Sequence, residues 1–232
     1  MLARRILGPT AALALVGLCA CTRADPGADR RVEADLSGGW VREIAEGPPG
    51  LEGFDLRPNR SVALLGIFSM NGLGWAVSRG ELVISTNTER YPQPNALRLR
   101  IVSLDDGVLT LAVDGGDYLA GAWRRAKVGR VAGVVTYLER DLLPPGARVD
   151  VELRRGETLV ARALIVPRGP VPIAFELSYL PEREPSAEPH ALEARIVANG
   201  APLFATTAPV PLTLPSSAGE EPVEVVVRPV PR

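Results

Sequence analysis

Short runs of alternating apolar and polar residues, cut by glycine or proline, constrain this chain more than any other feature of it. Leu97-Arg-Leu-Arg-Ile101 alternates apolar and charged side chains at the period of a strand with one wet face. Leu109-Thr-Leu-Ala-Val113 repeats the pattern, and Asp105-Asp106-Gly107 between them has the chemistry of a hairpin turn. Residues 81–85 and 62–68 read as further strands, with Asn71-Gly72 and Gly74 where a turn would fall, which places Trp75 at a loop tip. Strand patterns resume at residues 131–137, 149–153, 158–166, 173–179, 192–196 and 223–228. No window keeps helical periodicity over three turns, and 23 glycines and 22 prolines punctuate the 232 residues. The expectation is an all-β chain.

The N-terminus has a different logic. Arg4 and Arg5 precede an apolar run from residue 11 to 20 that is too short to span a bilayer and has the polarity of a secretory signal. Leu18-Cys19-Ala20-Cys21 resembles the lipobox of bacterial lipoprotein precursors, which makes residues 1–20 a signal peptide and Cys21 the lipidated residue. Thr22 follows that cysteine where an aspartate would resemble an inner-membrane retention signal, so the expected address is the outer membrane, periplasmic face. Residues 21–35, small, polar and proline-interrupted, read as a lipid-anchored flexible tether.

Removing Arg4 and Arg5 with the signal takes 26 basic residues to 24 against 27 acidic ones, a formal −3. A weakly acidic chain without a basic cluster argues against nucleic acid as partner. The mature chain would hold one cysteine, consumed by lipid, so neither an internal disulfide nor a zinc–thiolate site is expected. Attachment would be by acyl chains.

Lys127-Val-Gly-Arg130 divides the strand-rich region into residues 36–126 and 130–230. In the first part the order Leu36-Ser-Gly-Gly-Trp40, residues 53–62, Gly74-Trp75, Glu81-Leu82 and Trp123-Arg124 is similar to small lipocalin-like domains of bacterial envelope lipoproteins. That resemblance implies a meandering β-barrel, although Arg60-Ser61 and Arg79-Gly80-Glu81 replace turn residues of the pattern. In the second part Val131-Ala-Gly-Val-Val-Thr-Tyr137, Leu143-Pro-Pro-Gly-Ala147, Val171-Pro-Ile-Ala-Phe-Glu-Leu177, Ala191-Leu-Glu-Ala-Arg-Ile196 and Leu203-Phe-Ala-Thr206 resemble, in order, the YbaY/YscW-like lipoprotein family. The spacing suits an antiparallel sandwich of the immunoglobulin or transthyretin kind. Phe175, Leu177 and Tyr179 fall on its core face.

The search for chemistry yields little. His190 is the only histidine and lacks cysteine partners, so it reads as a packed residue at the start of a strand. Asp105, Asp106, Asp114 and Asp117 sit beside glycines, where aspartate shapes turns, and show no calcium-loop spacing. Ser69, Ser78 and Ser85 lack a nucleophile-elbow frame. No catalytic, cofactor or metal residue is expected. Trp40 reads as barrel core, Trp123 could fill the core or line a cavity, and Trp75, Phe68 and Met70 are the candidate ligand or partner surface. The YscW-like resemblance implies a secretin-pilot-like envelope binding factor, held to the membrane by lipid on Cys21 and partnered by an envelope protein. The rivals are a carrier of a small apolar ligand in the barrel and a structural envelope-stress lipoprotein.

Overall fold

The computed structural model describes residues 26–44, 50–88, 90–113, 119–139, 142–184, 188–214 and 222–231. Eight strands come first: β1 (Gly38–Glu43), β2 (Leu51–Leu56), β3 (Val62–Leu65), β4 (Asn71–Ser78), β5 (Glu81–Asn87), β6 (Asn95–Asp105), β7 (Val108–Ala112) and β8 (Gly121–Ala126). They form one antiparallel meander in which β8 returns to pair with β1, giving the order β3-β2-β1-β8-β7-β6-β5-β4. The end strands β3 and β4 lie side by side without a ladder, so the barrel is nearly closed, with one seam. Across it the Trp75 N–H donates to the Arg60 carbonyl at 2.9 Å.

Two hairpins explain how this meander turns tightly. Arg79-Gly80 joins β4 to β5 with φ of 56° and 76°, and Asp106-Gly107 joins β6 to β7 with φ of 49° and 77°. Two successive positive φ values match the twist of the flanking strands, so Arg79 takes the conformation expected of a turn glycine or asparagine.

The barrel interior is packed with side chains. Trp40, Phe54 and Trp123 are fully buried with Leu82, Ile84 and Leu109, and the Phe54 and Trp123 rings lie 4.8 Å apart. Each buried indole N–H reaches a carbonyl: Trp40 to Leu36 at 2.7 Å, Trp75 to Arg57 at 2.9 Å, Trp123 to Leu119 at 3.2 Å. A small barrel of this strand number has room for its own side chains and little else. Trp75 is therefore not at a loop tip. It lies within β4, just past a bulge at Gly72–Gly74, and points into the core.

The expected tether at 21–35 is corrected over its described part, because Pro26–Leu36 is an α-helix, α1. Proline suits the first helical position, and Asp29 in the first turn suits the helix dipole. Among its described side chains, Val32 and Leu36, four apart, pack against the barrel core. With two apolar anchors in a polar segment, the periodicity is too thin to read. Glu33 does the rest: its carboxylate accepts the Val77 N–H at 3.1 Å and holds Arg60 at 2.8 Å. Residues 1–25, Cys21 among them, lie outside the described residues.

Two residues after β8 the chain enters a second sheet system. It comprises β9 (Gly129–Thr136), β10 (Arg148–Arg155), β11 (Thr158–Ile165), β12 (Ile173–Tyr179), a short 3-10 turn (Pro181–Arg183), β13 (His190–Ala198), β14 (Ala201–Ala205), β15 (Val210–Leu212), β16 (Val223–Val226) and β17 (Arg228–Pro229). One sheet has the order β11-β10-β13-β14-β17, with β15 on the start of β13; the other is β12-β9-β16. Val131, Val135, Val151, Leu153, Phe175, Leu177, Ile196 and Val225 fill the space between them. The sandwich is antiparallel except that β16 runs parallel to β9. The chain crosses from one sheet to the other between β15 and β16, and such a crossover permits a parallel return.

Candidate partner-binding groove

Asp55, in β2, points out of the barrel yet is fully buried, because residues of the second unit cover it. Arg130 of β9 donates to both its oxygens at 3.0 and 3.1 Å, and the Ser178 hydroxyl of β12 donates at 2.9 Å. Arg57 closes the network, reaching Asp55 at 3.3 Å, Ser178 Oγ at 2.8 Å and Glu176 at 3.0 Å. The hydrogen bond from Arg130 to Asp55 and the attraction between them outweigh burial and raise the Arg130 guanidinium above its ordinary value. A buried carboxylate is tolerated only when paired and hydrogen-bonded in this way. Beside it Val41, Leu65 and Leu180 make an apolar contact between the units, and Arg124 pairs with Glu182 at 2.8 Å on the surface.

The junction sets β3 and its following loop alongside the β11–β12 side of the sandwich, leaving a cleft of about 400 Å³. Ile67, Phe68 and Met70 line one wall; Ala163, Ile165 and Phe175 line the other. Phe68 also borders a second cleft of about 280 Å³, lined by Leu159, Val160, Tyr179 and Leu180. Between them the two clefts are lined by residues 158–160 and 162–165 of β11, and Phe68 stands between them. The strand expected over 62–68 stops at Leu65 because Gly66 has φ of 69°, and a Cβ there would lie 2.3 Å from the Leu51 carbonyl oxygen. That break turns Phe68 and Met70 into a lip. Of the three candidate surface residues, the groove thus brings together Phe68 and Met70, both half-buried, and excludes Trp75.

Behind Glu184, which lines the second cleft, sits His190, the first residue of β13. It is buried, with Nε2 2.9 Å from Glu184, and Glu184 in turn pairs with Arg155 at 3.1 Å. This chain fastens the 3-10 turn that carries Leu180's neighbours. A second ionic cluster covers the outer face of the larger sheet: Asp150 is buried under Arg162 at 2.7 Å and Arg195 at 2.6 Å. Burial pushes the Asp150 carboxyl up, but the hydrogen bonds and charges of Arg162 and Arg195 overcome it and hold the group below its ordinary value. Asp105 and Asp106 serve the β6–β7 turn, whereas Asp114 and Asp117 lie outside the described residues. Among the described residues, no three His, Cys, Asp or Glu side chains are grouped as metal ligands.

Sequence reasoning missed Asp55, Arg57, Arg130 and Ser178. An acidic residue between Phe54 and Leu56 was the one available hint, since the alternation explained its outward direction but not its burial.

Residues 126–224 match a family model described as type III secretion system lipoprotein chaperone (YscW). Among solved structures, an alternative pilotin from the type II secretion system of Vibrio cholerae is similar at 26% identity, covering 44% of this chain and 98% of that one, with a TM-score of 0.39. A lipocalin-like protein from Bacteroides thetaiotaomicron is similar at 13% identity, covering 40% of this chain and 97% of that one, with a TM-score of 0.34. No curated protein matches.

Proposed function

We propose that this chain is an outer-membrane lipoprotein, anchored through Cys21 and facing the periplasm, that binds a secretin-type envelope protein and helps it reach and assemble in the membrane, without catalysis. The observation that carries this reading is the match of residues 126–224 to a family of secretion-system lipoprotein chaperones. The lipobox order ending at Cys21 supports the anchor, and the groove beside β11 supplies a surface for a protein partner. The carrier alternative would need space inside the barrel, where Trp40, Phe54 and Trp123 are packed instead. In this reading residues 36–126 and 130–230 are two units, each with its own core.

The test is to replace Cys21 with serine in cells. Fatty-acid labelling should disappear, and the secretin of the same cell should fail to accumulate as outer-membrane multimers. Labelling that persists in Cys21→Ser removes the anchor from the reading; secretin multimers that are unaffected by deletion of the whole gene remove the pilot role.

A further inference from the structure

One end of the sandwich is left apolar and open by its own packing. The connections from β9 to β10 and from β11 to β12 both lie there, since Val149 pairs with Ile165 and Val135 with Ile173. Among the described residues the three most exposed aliphatic side chains are all on these two loops: Leu142 at 83%, Leu138 at 68% and Val166 at 64%. Leu142 and Val166 line a cleft of about 310 Å³ together with Pro144, Pro145, Pro167 and Pro170. A single exposed leucine needs no explanation, but two loops that converge to display three aliphatic side chains do.

The chemistry of this tip fits a lipid surface better than a protein one. Three aliphatic side chains fall far short of the ~800 Å² that a stable protein contact takes from each partner. Among the described residues no exposed aromatic ring joins them as an anchor. A segment that enters only the headgroup boundary of a membrane needs no more apolar surface than this. Backbone N–H groups that lose water there must find partners, and the four prolines bring none. Arg168 is exposed on the second loop, Arg148 is half-buried where the first loop enters β10, and neither pairs with a described carboxylate. Glu139, on the first loop, has one carboxylate oxygen buried. Arginines at the rim of an apolar tip can rest their stems on it and hold their guanidinium groups among phosphates.

The tip also lies at the end of the molecule where α1 packs. Glu33 of α1 holds Arg60, and Asn59 and Ser61 on either side of Arg60 line the first cleft with Ile165 and Ala174, at the root of the β11–β12 loop. We infer that Leu138, Leu142 and Val166 dip into the headgroup boundary of a phospholipid membrane, with Arg148 and Arg168 set against its phosphates. The inference rests on the reading above only for the lipid on Cys21, which would bring the chain to that membrane. It adds a second, non-covalent contact made by the sandwich, and two contacts fix how a molecule stands on a bilayer where one does not.

The experiment uses the full mature chain with Cys21→Ser, so that no acyl chain contributes, and vesicles of phosphatidylethanolamine with a minor share of phosphatidylglycerol. Residues 22–232 contain no cysteine, so an environment-sensitive dye can be placed singly through Leu142→Cys, Val166→Cys or Tyr91→Cys. Tyr91 is as exposed as Val166 but follows β5, at the end of the barrel opposite the β4–β5 turn that α1 touches. Vesicles should shift the dye emission to the blue at the first two sites and leave it unchanged at the third. Leu142→Ser should weaken vesicle binding about tenfold and Arg168→Glu about fivefold, with unchanged melting temperatures excluding misfolding as the cause. Absence of binding at high lipid, a shift at the Tyr91 site instead, or binding that survives Leu142→Ser combined with Val166→Ser overturns the inference. A shift at the first two sites that appears without vesicles and grows with protein concentration also overturns it, and assigns the tip to contact between copies of the chain. Neither lipid on Cys21 nor a secretin enters this measurement, so its failure leaves the reading above standing, and failure of that reading leaves this result standing.

Discussion

The barrel and the sandwich solve the problem of unpaired strand edges in opposite ways. The barrel brings β8 back to β1, narrows the remaining gap to the β3–β4 seam, and plugs its interior with three indoles that each find a carbonyl. It spends nearly all its hydrogen-bonding groups on itself. The sandwich keeps ladder-free edges, with β12 lying along a bulged β11 on the side toward the barrel and with prolines that discourage addition of strands on the far side. The barrel's contribution to the sandwich is a wall, Ile67, Phe68 and Met70, set beside β11 and β12.

That contrast depends on the two units holding a fixed relation, so the junction is the first place to attack it. Asp55→Ala removes the buried carboxylate at the centre of the network and leaves Arg57 and Arg130 to share the half-exposed Glu176, at 3.0 and 3.8 Å. The expected loss is about 3 kcal/mol, read by urea unfolding, and the unfolding curve should separate into two steps as the units uncouple. Fragments 35–126 and 129–232 should each unfold cooperatively but at lower midpoints than in the full chain. A single unchanged transition in Asp55→Ala would mean that the apolar contact of Val41, Leu65 and Leu180 couples the units by itself.

Acid should distinguish the units next. The Asp150 carboxyl is held below its ordinary value, so the stability it supplies is complete above the unfolded-state pKa, near 3.9, and is lost as pH falls through the folded one. Asp150→Asn should cost about 2 kcal/mol at neutral pH by removing charged hydrogen bonds, and should flatten the acid dependence of the sandwich. Acid unfolding monitored through barrel tryptophans, Trp40, Trp75 and Trp123, should be insensitive to this change once the units are uncoupled by Asp55→Ala. The smallest effect belongs to the seam. Trp75→Phe keeps the buried ring and loses one hydrogen bond to Arg57, for about 1 kcal/mol.

Much of this architecture was legible because a half-buried strand writes its alternation directly into the chain. Residues 97–101 fall in β6 and 109–112 in β7, which stops one residue short of the alternation, and Asp106-Gly107 makes their turn. The sandwich strands are readable for the same reason. What escaped detection depends on contacts made across long sequence distances. Asp55 meets Arg130 and Ser178, and no local pattern distinguishes a carboxylate facing solvent from one covered by another unit. The helix α1 escaped because its stability comes from two apolar side chains and from Glu33 reaching β4 and Arg60, rather than from a hydrophobic stripe. Trp75 was misplaced because Gly72 and Gly74 mark a bulge inside a strand as readily as a turn between two. Phe68 and Met70 were legible as apolar residues after a glycine, though nothing local said what they would face.

The helix α1 also bears on closure of the barrel. It lies outside the meander, yet Glu33 accepts the Val77 N–H of β4 and pairs with Arg60, just ahead of β3. One carboxylate thus ties together the two strands that share no ladder. A segment that belongs to no sheet works as a clasp on the barrel's seam.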